Sequence, residues 1–103
     1  MSLYFSYTNS IDMSLKNARI LVVDDDKDVL TAVSLLLKPK VKEVHTSHTP
    51  ELLRSLLGKQ KFDLLLLDMN FNSAVNTGNE GIFWLRTVRE LDPELAVVMI
   101  TAY

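Results

Sequence analysis

No cysteine occurs among the 103 residues, which excludes disulfides and thiolate zinc sites and agrees with a reducing, cytoplasmic setting. No apolar stretch approaches the roughly twenty residues that a membrane-crossing helix needs. The first sixteen residues, MSLYFSYTNSIDMSLK, have neither the charged start nor the long apolar centre of a secretory signal. Residues 1–16 therefore read as an extension ahead of the domain. An excess of one charge is missing too: 11 basic and 13 acidic residues are interspersed for a formal net charge of −2, leaving no basic face suited to phosphate backbones. Neither nucleic acid nor a membrane is an expected direct partner. The first apolar run is followed by no glycine-rich turn, which argues against dinucleotide binding, and no internal repeat or low-complexity tract is present.

What the chain does have is 48% hydrophobic residues, enough for one core. Arg19-Ile20-Leu21-Val22-Val23 is a continuous branched apolar run, the signature of a strand covered on both faces of a parallel sheet. It stops at Asp24-Asp25-Asp26. Val29, Val33, Leu36 and Leu37 then recur at helical spacing, with Asp26 placed to cap the first turn and Pro39 to close the helix. Val41 to Thr46 is a sparser strand of sheet-edge character, and after Thr49-Pro50 a second helix runs through Leu52, Leu53, Leu56 and Leu57, ended by Gly58. Phe62 to Leu67 repeats the buried-strand pattern and also ends in an aspartate, Asp68. Asn70 to Asn79 has the composition of a surface loop. A third helix from Glu80 to Leu91 carries Ile82, Leu85 and Val88, with Phe83 and Trp84 as packing residues, and ends at Asp92-Pro93. Ala96 to Ile100 is a last buried strand leading to Thr101. Strands alternating with helices in this way imply an α/β fold with a doubly wound parallel sheet.

In such a sheet every strand points the same way, and ligands bind beyond the carboxyl ends. Those ends carry Asp24 and Asp25, then Asp68, then Thr101. Crowded carboxylates repel unless a cation neutralises them, and an all-oxygen donor set suits a hard ion such as Mg²⁺. An aspartate beside such an ion can act as a nucleophile towards phosphorus. The competing reading of Asp24 to Asp26 as a mere helix-capping cluster fits Asp26 and Asp28 but not Asp24 and Asp25, which sit at a buried strand end facing another carboxylate. His45 and His48 lie away from this rim and receive no role.

The stretches ILVVDDD at Ile20 to Asp26, FDLLLLDMN at Phe62 to Asn70 and VVMITAY at Val97 to Tyr103 resemble the receiver domains of two-component response regulators, over residues 17–103. The resemblance implies a flavodoxin-like fold in which Asp68 is the phosphoacceptor, Asp24 and Asp25 are the acidic pair organising Mg²⁺, and Thr101 is the switch hydroxyl. Asn70 would give its main-chain carbonyl to the metal. The implied partners are a sensor histidine kinase and an output domain in the same full-length chain, with transcription regulation as the response; the TAY ending resembles receivers of activators working with sigma factor fifty-four.

Two departures from the family stand out. The loop after Asp68 lacks the usual proline, and Gly81, if it is the helix-opening glycine, comes later than usual. The sequence also stops before the family's fifth strand, its phosphate-binding lysine and the last two helices, so a sheet truncated after its fourth strand is expected, as in a fragment of a longer regulator. The strand ending in Thr101 would then be an open apolar edge, which predicts a homo-oligomer or swapped arrangement through that edge. Docking of Leu3 to Thr8 somewhere on the sheet is a further expectation. The alternative function is a haloacid dehalogenase-like phosphatase, in which Asp24 would be nucleophile and Asp26 acid/base.

Overall fold

The computed structural model describes residues 2–5, 15–68 and 79–101. Five strands form one sheet: β1 (Ser2–Phe5), β2 (Arg19–Val23), β3 (Glu43–Ser47), β4 (Leu64–Asp68) and β5 (Ala96–Thr101), in the order β1-β5-β4-β2-β3. The four strands from β2 to β5 are parallel, with Ile20 opposite both Val44 and Leu64, and Leu64 opposite Ala96. Helices α1 (Lys27–Leu37), α2 (Leu53–Lys59) and α3 (Asn79–Leu91) connect them, with 3₁₀ turns at Leu15–Asn17 ahead of β2 and at Pro50–Leu52 ahead of α2.

Alternation along each strand sends successive side chains to opposite faces, so one sheet feeds two cores. Leu21, Val23, Leu65, Leu67, Val97 and Met99 pack with Leu53 of α2 and Val88 of α3. Ile20, Val22, Leu64 and Leu66 point the other way, onto Leu30, Val33 and Leu37 of α1. Helices thus cover both faces, which is why the continuous apolar runs of β2 and β4 carry no polar alternation. Full burial of one such leucine contributes roughly 1.5–3 kcal/mol relative to leaving it exposed.

The local punctuation follows from the residues. The Asp26 side chain accepts from the N–H groups of Asp28 and Val29 and caps α1, relieving two of the donors that a helix start leaves unpaired. Thr49 does the same for the second 3₁₀ turn through Glu51 N–H. At the end of α3, Asp92 N–H closes on Val88 O, and Pro93 follows.

Three expectations are corrected. The buried face of α1 uses Leu30 with Val33 and Leu37, while Leu36 is 69% exposed, because the sheet lies one helical position round from the stripe chosen on the sequence. Gly58 does not end α2; the helix continues to Lys59, and Gln60 N–H bonds Leu56 O with extended backbone at Gln60. Most consequential is the edge of β5. It carries β1, paired antiparallel with Ser2 opposite Thr101 and Phe5 opposite Val98, so the edge on which self-association was predicated has a strand from the same chain along it. The parallel sheet is therefore extended by an antiparallel edge strand, with β3 at the other side, where its sparse apolar pattern had placed it.

Candidate functional site

Parallel register builds the site. Val23 of β2 lies opposite Leu67 of β4, so the next residues along the two neighbouring strands are Asp24 and Asp68. Ser47 O accepts the Asp24 N–H at 3.1 Å, extending the β2–β3 ladder one step past β2 and fixing where the acidic turn begins. That serine was not singled out on the sequence. It ends the weak edge strand at the same rim, is buried, and donates its Oγ to Thr49 O at 2.7 Å, which also anchors the loop leaving β3. Its position at a strand end was the available signal.

One carboxylate oxygen from each of Asp24, Asp25 and Asp68 falls within 4.8 Å of the others. Asp24 is 5% exposed and Asp68 7%, whereas Asp25 is open to solvent. Burial pushes the Asp24 carboxyl above its ordinary range; the Asp26 N–H opposes that, and the negative charges of Asp25 and Asp26 add to the rise. A site that raises a carboxyl's pKa by desolvation and like charge is one in which a hard cation relieves the cost of ionisation. The donor set therefore fits a divalent ion of the Mg²⁺ type, with three carboxylates as candidate holders.

The sequence-derived site is thus assembled for Asp24, Asp25 and Asp68. Thr101 ends β5 at the same rim, one position beyond Ile100, which is the partner of Asp68. Asn70 lies outside the described residues. Asp26 is spent on capping α1, and His45 sits away from the rim, against Glu43 and edge-on to Phe62.

The family model for the response regulator receiver domain matches residues 20–103. The chain belongs to this family, a class of signalling domains rather than conventional enzymes. Among curated proteins it is 31% identical to the alginate biosynthesis transcriptional regulatory protein AlgB of Pseudomonas aeruginosa over 90 residues, 87% of this chain and 19% of that protein. It is also 31% identical to the transcriptional regulatory protein ZraR of Escherichia coli over 91 residues, 88% of this chain and 20% of that protein. The chain spans about a fifth of the length of these relatives. Among solved structures, the MaeR response regulator bound to beryllium trifluoride superposes with a TM-score of 0.68 at 27% identity, covering 84% of this chain and 68% of that one. The dehalogenase-type alternative is not supported: the match is to receivers, and the acid/base it requires, Asp26, has its carboxylate on the α1 cap. Among the described residues no helix is long and apolar enough to cross a membrane.

Proposed function

We propose that Asp68 accepts a phosphoryl group from a phosphohistidine of a sensor kinase. A carboxylate oxygen of Asp68 attacks phosphorus, the P–N bond breaks, and the departing imidazole nitrogen keeps the electron pair and takes a proton. Later attack of water on the acyl phosphate returns the carboxylate and inorganic phosphate, so the domain promotes its own loading and its own reset. Asp24, Asp25 and Asp68, with the main-chain carbonyl of Asn70, would hold Mg²⁺. The ion supplies positive charge against the oxygens of the transferred group. Thr101 is the switch hydroxyl: the added charge and acceptor oxygens at Asp68 draw it inward and shift a pre-existing equilibrium between two surfaces.

The observation that carries this reading is the convergence of the three carboxylates within 4.8 Å at the ends of adjacent parallel strands. Residues 17–103 carry the receiver, and Ser2–Phe5 of the preceding segment 1–16 adds an edge strand to its sheet. By similarity to AlgB and ZraR, which are transcriptional regulatory proteins, its output is a transcription-regulating domain of the full-length chain in the cytoplasm; the class working with sigma factor fifty-four is proposed on the resemblance of the TAY ending alone. Self-association through β5 would require β1 to leave its edge or to be exchanged between copies. Incubation with labelled acetyl phosphate and Mg²⁺ tests the reading: label on the wild type and none on Asp68→Asn is expected. Steady phosphatase turnover that depends on Asp24 and Asp26 would overturn it.

A further inference from the structure

We infer that Ser47 is a positioning residue for the ion site, acting on Asp24 from the neighbouring strand. Its polar groups face two ways. The main-chain oxygen accepts the Asp24 N–H at 3.1 Å, while the hydroxyl donates to Thr49 O at 2.7 Å and accepts the Thr49 N–H at 3.3 Å. Asp24 is thus tied to Ser47, and Ser47 to the loop that leaves β3. That loop is itself anchored, because Thr49 Oγ1 accepts the Glu51 N–H and opens the 3₁₀ turn into α2, whose Leu53 is fully buried in the core. Asp24 is therefore held at both ends: its N–H by Ser47 O and its Oδ1 by the Asp26 N–H at 2.9 Å. The second bond orients the carboxylate; the first sets the backbone from which that carboxylate swings. A group that must meet two other carboxylates within 4.8 Å tolerates little drift of that backbone. The last residue of a strand is where pairing frays first, and Ser47 is the buried one of the five in β3. Alanine would fill the same space without closing the hydroxyl's bonds to Thr49. This rests on the reading above, in which Asp24 holds the ion, and it adds an input from outside the acidic cluster: the β3–α2 loop sets how tightly the ion is bound.

The test uses the full chain, with Mg²⁺ alone as the probe and calorimetry as the measure of binding. Ser47→Ala is set beside Val88→Ala, which loosens the packing of α3 on the sheet without touching the bonds around Asp24. Ser47→Ala should bind Mg²⁺ about tenfold more weakly, the effect of removing a group that orients a metal ligand, and should show faster amide exchange at Asp24 before metal is added. Val88→Ala should melt at a lower temperature and keep wild-type Mg²⁺ affinity. The wild type supplies a check that needs no variant: if the loop helps to hold the ion, the ion must help to hold the loop, so Mg²⁺ should slow amide exchange at Thr49 as well as at Asp24. Wild-type Mg²⁺ affinity in Ser47→Ala overturns the proposal, as does an equal loss in Val88→Ala or exchange at Thr49 that Mg²⁺ leaves unchanged. A wild type that binds no Mg²⁺ overturns the reading of Asp24, Asp25 and Asp68 as ion holders, and this inference with it.

Discussion

The N–H of Asp26 donates to Asp24 Oδ1 at 2.9 Å, so the carboxylate that opens the acidic turn is oriented by the residue that caps the next helix. Cap and site share one turn of chain, yet their roles separate: Asp26 organises α1, while Asp24 faces Asp68 across the strand ends.

Replacing Asp24 should make the metal-free protein more stable. Its carboxyl is raised above 3.8 in the fold, so its contribution to stability is complete below 3.8 and is lost as pH rises through the raised value. At neutral pH the ionised group is therefore a cost that a cation relieves. Asp24→Asn keeps an oxygen for the Asp26 N–H and removes the charge. Thermal melts at pH 7 should show a higher midpoint without metal and a loss of the rise that Mg²⁺ gives the wild type; an unchanged Mg²⁺ response in the variant would remove Asp24 from the ion site.

Asp26→Ala should cost about 1 kcal/mol of stability, the usual effect of deleting an N-cap. Labelling by acetyl phosphate should persist at a temperature where the variant is folded. Denaturant titration gives the first quantity, and loss of labelling in folded protein would return Asp26 to the chemistry.

At the opposite end of the sheet, Glu43 holds both His45, at 2.9 Å, and Arg19, at 2.6 Å. The His45 bond, then the Arg19 bond, hold its carboxyl below the ordinary 4.5. Stability from this group is present above 4.5 and is lost as pH falls through the lower value. Glu43→Gln should flatten the acid limb of the stability profile from 4.5 down through the lowered value and leave Mg²⁺ binding alone.

Gly58 lies within α2, and an added Cβ there meets nothing within 4 Å. Gly58→Ala should stabilise the protein by about 0.5–1 kcal/mol through helix propensity and a less disordered unfolded chain. Chemical denaturation measures it, and a loss of stability would mean that the helix is not formed at this position.

Deleting residues 1–5 uncovers the backbone of Val98–Thr101, an apolar strand edge. Light scattering should show concentration-dependent association of the shortened chain beyond that of the full one. Equal behaviour of the two would mean that β1 does not protect this edge.

The sequence by itself determined the parallel strands β2, β4 and β5, since short unbroken runs such as Leu64–Leu67, alternating with helical patterns, suit a sheet buried on both faces, and it determined that acids stand at the strand ends. Asp24, Asp25 and Asp68 were legible because a parallel sheet sends all its strand ends to one rim. The side of α1 that meets the sheet was not, because Leu30, Leu35, Leu36 and Leu37 offer overlapping apolar stripes and only the position of the sheet chooses Leu30 over Leu36. That the segment beginning at Leu3 docks on the sheet was legible from its strand-prone residues, but not that it joins β5 or in which register: a strand's register at an edge is decided by what else reaches that edge once the rest of the chain has folded.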